Sequence, residues 1–271
     1  MSLRRWTVTL LVAFVALLTI APLLWMLSVS FMARGEAAQF PPPLLPGDPT
    51  LDNYRALFGT FGVGRFLLNS LLVSTLATLL ALLFTIPAGY AFAKLRFKGR
   101  DATFRLLVAA LVVPGQIGML PLFLELKAMG LVNSYAGALV PWLAGIFGIF
   151  LVRQYSLSIP DEMLEAARID GASEAQILRR IVLPILTPII VTLALFVFLG
   201  SWNDFMWPLI VLADQDLYTL PVALAALSRE HVQDNELMMA GAVVTTLPVL
   251  ILFLALQRFY LSGLLAGSVK G

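Results

Sequence analysis

Six long runs contain no Asp, Glu, Lys or Arg: Trp6–Ala33, Phe66–Ala93, Leu106–Leu124, Ala128–Val152, Ile181–Asn203 and Leu237–Gln257. A helix rising about 1.5 Å per residue crosses the roughly 30 Å hydrocarbon core of a bilayer in about 20 residues. Each run is of that order and carries apolar residues all round a helix rather than along one stripe, as a membrane-embedded helix should. The pattern predicts an all-α membrane protein forming a single domain over residues 1–271. Its six transmembrane helices fall at about 8–31, 66–93, 106–125, 134–152, 185–203 and 237–257. Composition agrees, with 60% of residues hydrophobic and 13% charged, against roughly 25% charged in a soluble domain. That balance excludes a soluble enzyme and a disordered chain. With no Cys there is no disulfide framework and no thiolate metal site, and the single His231 reads as ordinary loop chemistry. The 18 basic and 16 acidic residues are too balanced for a nucleic-acid binder.

Orientation follows from where the basic residues fall. With the N-terminus inside, Arg4, Arg5, Lys94, Arg96, Lys98, Arg100, Arg105, Arg153, Arg168, Arg179, Arg180, Arg258 and Lys270 face the cytoplasm, 13 of the 18. Arg34, Arg55, Arg65, Lys127 and Arg229 face outward. The positive-inside bias therefore places both termini in the cytoplasm. The first apolar stretch, Val8–Leu27, exceeds the roughly 7–15 residues of a signal peptide core and is expected to be a retained helix. Between the first two helices, prolines 41–43, 46 and 49 predict an extended outer linker. A short interfacial helix follows over Leu51–Phe58, with Asp52 as its cap. The run Leu217–Ser228 is too short to span, carries Pro221 and reads as loop.

The inner segment 153–184 is too long for a simple turn. Ser158-Ile159-Pro160-Asp161-Glu162 offers a cap, a proline and two acids where a helix dipole favours negative charge. That helix continues to Ile169 and breaks at Asp170-Gly171, and Ser173-x-x-Gln176 is a capping box for a second. Met163, Leu164, Ala167 and Ile169 can share an apolar side, available to lipid or a partner, while Asp161, Glu162, Glu165 and Arg168 stay wet. Acidic residues outnumber Arg168 on this helix, which disfavours anionic lipid and favours a protein partner.

Glu165-Ala166-Ala167, then Gly171, then Ile181-x-Leu183-Pro184 resembles the EAA signature of permease subunits of binding-protein-dependent ABC importers, seven residues over twenty positions. Val113-Pro114-Gly115-Gln116, the stretch Ser201–Leu209, Met239-Ala240-Gly241-Ala242 and Gln257-Arg258-Phe259-Tyr260 resemble the carbohydrate branch, the MalG-like subunits of maltose-type importers. The resemblance implies the type I ABC importer permease fold in the inner membrane. It also implies a MalF-like second permease, an ABC ATPase homodimer and an extracytoplasmic sugar-binding protein as partners. The chain itself would then be no enzyme and would hold no cofactor, ATP and Mg being bound by the ATPase. Glu165, Ala166, Ala167, Asp170 and Gly171 would form the coupling helix docked on that ATPase, with Gly171 supplying a turn that a side chain would obstruct. The tail Ser268, Val269, Lys270 and Gly271 would reach between the ATPase subunits.

The chain has no Gly-x-x-x-x-Gly-Lys-[Ser/Thr] to hold ATP. The rival reading is an ion-coupled secondary carrier. Such carriers place ionisable residues inside the membrane, and the six runs hold none. Ser201, Trp202, Asn203, Asp204 and Trp207 are the candidate pathway or substrate residues, since Trp stacks on a sugar face and Asn bonds its hydroxyls. The same residues also suit an interfacial aromatic belt.

Overall fold

The computed structural model describes the backbone of residues 3–230 and 234–268, and side chains over 6–229 and 234–257. Its helices are α1 (Leu3–Ser30), α2 (Asp52–Arg55), α3 (Val63–Lys94), α4 (Arg100–Ala110), α5 (Met119–Ala128), α6 (Tyr135–Leu139) and α7 (Ile146–Ser156). Then follow α8 (Asp161–Ile169), α9 (Glu174–Ile177), α10 (Leu183–Trp202), α11 (Met206–Val211), α12 (Leu220–Glu230) and α13 (Asn235–Ser268). No strand occurs among the described residues. Four helices are long and apolar enough to cross a membrane, and six spans result if two bent pairs each count as one.

Those bent pairs correct two expectations. The helix read as continuous over 106–125 is broken between α4 and α5, with a 97° bend. The one read over 134–152 bends by 42° between the α6 segment and α7. The causes are local. Pro114 is extended and followed by a short 3-10 turn at Gly115–Gly118, and Gly145 is likewise extended; neither residue supports a helical ladder. Two smaller expectations also change. The stretch 217–228 is not all loop, because α12 begins at Leu220 with Pro221 in its first turn, where a missing N–H is harmless. Asp52 is not a cap but the first residue of α2, its carboxylate paired with Arg55.

The chain groups into two compact units. The first holds residues up to Leu67 together with Leu220–Leu250. In it the proline-rich segment is pinned by carboxylates: Glu36 accepts from the N–H groups of Ala33 and Gly47, and Glu236 from that of Ala37. Asn53 donates to the carbonyls of Ser30 and Met32, closing the end of α1.

The second unit holds Leu68–Thr219 and the chain from Ile251. One of its cores gathers Ile86, Tyr90, Val152, Ile159, Leu164, Ile177, Val182, Leu186, Ile189 and Leu193, so α3, α7, α8 and α10 meet there. Another surrounds Trp207. Beside it Asn69 donates to the carbonyls of Asp216 and Tyr218 and accepts from the Tyr135 hydroxyl. Asn69 thus ties α3 to two other elements, whereas Thr78 and Thr85 further along α3 donate back to carbonyls of their own helix.

Candidate functional site

The helical loop after α7 begins where α7 ends at Ser156. Ser158 turns back to the Tyr155 carbonyl, so it does not cap α8; Pro160 precedes the helix instead. Asp161 and Glu162 in the first turn and Arg168 in the last complement the helix dipole. The helix stops in a Schellman motif: Ala172 N–H donates to the Ala167 carbonyl and Gly171 N–H to that of Arg168. Gly171 sits at φ +82° with nothing near a hypothetical Cβ. The turn there needs glycine for its backbone angle, since an L side chain at this φ clashes with its own backbone, and not for room against a neighbour. Ser173 and Gln176 then close the expected capping box of α9.

Burial divides the apolar side of α8. Leu164 is 1% exposed in the core, and Ala167 is half-buried. Met163 and Ile169 are not covered: Met163 is 44% and Ile169 86% exposed. Between them Glu165 and Ala166 are exposed, and among the described residues Glu165 has no ion pair. The outward side of α8 therefore presents a free carboxylate, a small residue and two apolar side chains, with Asp170 exposed beside Gly171.

The inward side is tied to the last turns of α3. Lys94 Nζ, its side chain 5% exposed, donates to Asp161 Oδ1 at 2.6 Å and to the Ile159 carbonyl at 2.5 Å. The ammonium beside it holds the Asp161 carboxyl below its usual range. One turn earlier the Tyr90 hydroxyl donates to Glu174 Oε2 at 2.7 Å, while Glu174 Oε1 accepts from Arg168 Nε at 2.7 Å. In the sequence Lys94 reads only as one more inside charge, and Tyr90 draws no notice. Their spacing of four at a helix end, on one face, is the signal that marks them.

The candidate pathway residues lie elsewhere in this unit. Trp202 and Trp207 are 1% and 2% exposed, Ser201 is buried, and Trp207 Nε1 donates to the Gly137 carbonyl. In this conformation none of the three has surface to offer a solute. Asn203 is exposed but bonds back to the Leu199 carbonyl. Asp204 accepts from the Trp207 N–H; burial pushes its carboxyl up, against the pull of the backbone N–H groups of Trp207 and Met206. Gln116, by contrast, lies on the exposed interruption between α4 and α5. Ser268 ends α13, and its side chain together with Val269, Lys270, Gly271 and His231 lies outside the described residues.

The described residues form no strand, give up to six candidate spans and place a short helical hairpin between α7 and α10, an arrangement that a solved structure identifies as the type I ABC importer permease fold. A crystal structure of a bacterial ABC transporter involved in the import of the acidic polysaccharide alginate matches with a TM-score of 0.83 at 24% identity, covering 95% of this chain and 97% of that one. A second, of a bacterial alginate ABC transporter in complex with alginate pentasaccharide-bound periplasmic protein, matches with a TM-score of 0.64 at 19% identity, over 95% and 96%. At these identities the likeness is one of fold. Residues 85–264 match the family described as binding-protein-dependent transport system inner membrane component. The arabinooligosaccharides transport system permease protein AraQ of Halalkalibacterium halodurans is 38% identical over 98% of this chain and 96% of its own. The lactose transport system permease protein LacG of Rhizobium radiobacter is 33% identical over 94% and 92%. The chain belongs to the binding-protein-dependent transport system inner membrane component family, the permease subunits of ABC importers.

Proposed function

We propose that this permease imports a di- or oligosaccharide, pairs with a second permease, and receives its power stroke through α8 from a separate ATPase that holds ATP and Mg. The observation that carries the ATPase contact is the outward side of α8: unpaired Glu165 beside exposed Met163, Ala166 and Ile169, on a helix whose other side is anchored. Exposed apolar groups with a free charge suit a protein cleft supplying a basic residue. The sugar class draws support from the relatives, whose printed substrates include arabinooligosaccharides and lactose. An extracytoplasmic binding protein as donor fits the family description. Both termini are then cytoplasmic, and the tail Ser268–Gly271 reaches the ATPase. No catalytic residue is assigned to this chain.

A second observation bears on the pathway. Residues 111–118 are exposed, lie within a charge-free run, and leave the helical ladder at Pro114. Unpaired backbone is tolerated in a membrane only against protein or water. This stretch, with Gln116, is therefore the better candidate than Trp202 or Trp207 for a surface facing the partner permease or the solute.

Glu165→Lys tests the coupling role. The residue is exposed, so insertion and yield are expected to stay unchanged, while ATP hydrolysis stimulated by the loaded binding protein falls at least tenfold in the reconstituted complex. Normal stimulation in that variant would sink the reading.

A further inference from the structure

The side of α8 that faces away from the proposed ATPase contact carries information of its own. A helix of nine residues whose apolar anchors are Leu164 and, less deeply, Ala167 would rock under load. On the side facing residues 94–100, packing does not close the gap: a cavity of about 670 Å³ lies there, lined by Lys94, Arg96, Arg100, Asp161 and Arg168, with Glu165 at the border between this side and the outward one. What spans it is a pair of polar ties. Lys94 holds the first residue of α8 and the carbonyl just before it. Tyr90, four residues earlier on α3, holds Glu174, which in turn holds Arg168 in the last turn of α8. Both ends of α8 are thus fastened to one face of one transmembrane helix.

The material of the ties fits a mechanical role. The Lys94 ammonium is nearly buried, with a carboxylate and a carbonyl as its acceptors, and a buried charge left short of partners is costly. Tyr90 is 2% exposed and its hydroxyl has a carboxylate oxygen as acceptor. Such bonds are directional and shorter than packing contacts, so they transmit displacement as well as holding position. The face of α3 that bears them is backed by α7: a Cβ on Gly89 would lie 2.6 Å from Val152 Cβ, so the two helices are in close contact.

We infer that Tyr90 and Lys94 are positioning residues for transport: they latch α8 at both ends to the terminus of α3, so that movement imposed on α8 is delivered to that transmembrane helix. The inference rests on the coupling reading of α8 given above. It makes α3, joined to α8 directly by a side chain 67 positions away and through Glu174 of α9 by one 84 positions away, an input helix alongside α10, which follows the loop covalently.

Tyr90→Phe removes one oxygen atom and keeps the ring. Lys94→Met keeps most of the stem and removes the charge. Each is assayed in the whole complex in proteoliposomes, with the binding protein and its sugar. The measurements are complex yield, basal ATP hydrolysis, and the ratio of stimulated to basal hydrolysis. In parallel, Glu165→Cys is cross-linked to the ATPase subunit in the otherwise unaltered complex. With the cross-link formed, the expected result is a ratio lowered about three- to tenfold in each variant, the range that loss of one buried hydrogen bond gives to an equilibrium, with yield and basal rate kept. A cross-link with an unchanged ratio in both variants overturns the latch alone. A ratio lowered only in step with yield and basal rate also overturns it, since that is a structural effect. Absence of any cross-link overturns the coupling reading, and the latch with it.

Discussion

Single residues show how little of a motif's meaning lies in its letters. In the signature Glu165-Ala166-Ala167, three adjacent side chains have different lots: Glu165 and Ala166 face outward, while Ala167 leans on the core. Gly171 is the other constant of the pattern, and its reason is angular. At φ +82° an L side chain pays a steric cost against its own backbone, although nothing else lies within 4 Å. Gly171→Ala is therefore expected to lower stability by about 1 kcal/mol, and Gly171→Asn by less, since Asn tolerates the left-handed region. Thermal unfolding of the detergent-solubilised protein checks the order. Equal losses for the two variants would show that the backbone angle is not the reason.

At the scale of elements, charge avoidance along the chain located all six apolar runs, yet it could not tell an unbroken helix from a bent one. The runs 106–124 and 128–152 contain no charge from end to end, and still α4 turns away from α5 by 97°. The information was present in Val113-Pro114-Gly115 as a breaker, but the size of the bend depends on what the two pieces pack against. Short loop helices were more legible, because capping is a local affair. Ser173-x-x-Gln176 names its own bonds, and they are made. Close approach of elements was illegible: Gly89 is one of 19 glycines, and only its neighbours mark it. Because a Cβ there meets Val152 and the Arg153 backbone N, Gly89→Ala is expected to cost about 1–3 kcal/mol by forcing α3 from α7. The same substitution at Gly59, where nothing lies within 4 Å, is expected to be nearly neutral. Comparing the unfolding midpoints of the two variants tests this.

For the whole molecule, the lean of 13 basic residues to one side makes a topological prediction that needs no interior detail. Lys98→Cys and Asp170→Cys are expected to react with a membrane-impermeant thiol reagent only in inside-out vesicles. Asp48→Cys and Gln215→Cys are expected to react only in right-side-out ones. The chain has no native cysteine to confuse the labelling, and all four positions are exposed. The reverse pattern would invert the orientation and remove α8 from the cytoplasm.

What the sequence by itself determined follows from forces that act within about one helical turn or along one run. Charge scarcity located the membrane runs, a glycine ended α8, and a capping box began α9. The ATPase partner was not determined in this way; it is what the resemblance of Glu165-Ala166-Ala167 and Gly171 to the EAA signature implies. Tertiary structure alone decided which side of α8 is open, that Met163 and Ile169 are bare, and that Trp202 and Trp207 are walled in. It alone joined Lys94 to Asp161 and Tyr90 to Glu174. The reason is physical: burial and hydrogen-bond partnership are properties of pairs brought together from distant positions, and no local pattern encodes the distance between α3 and α8.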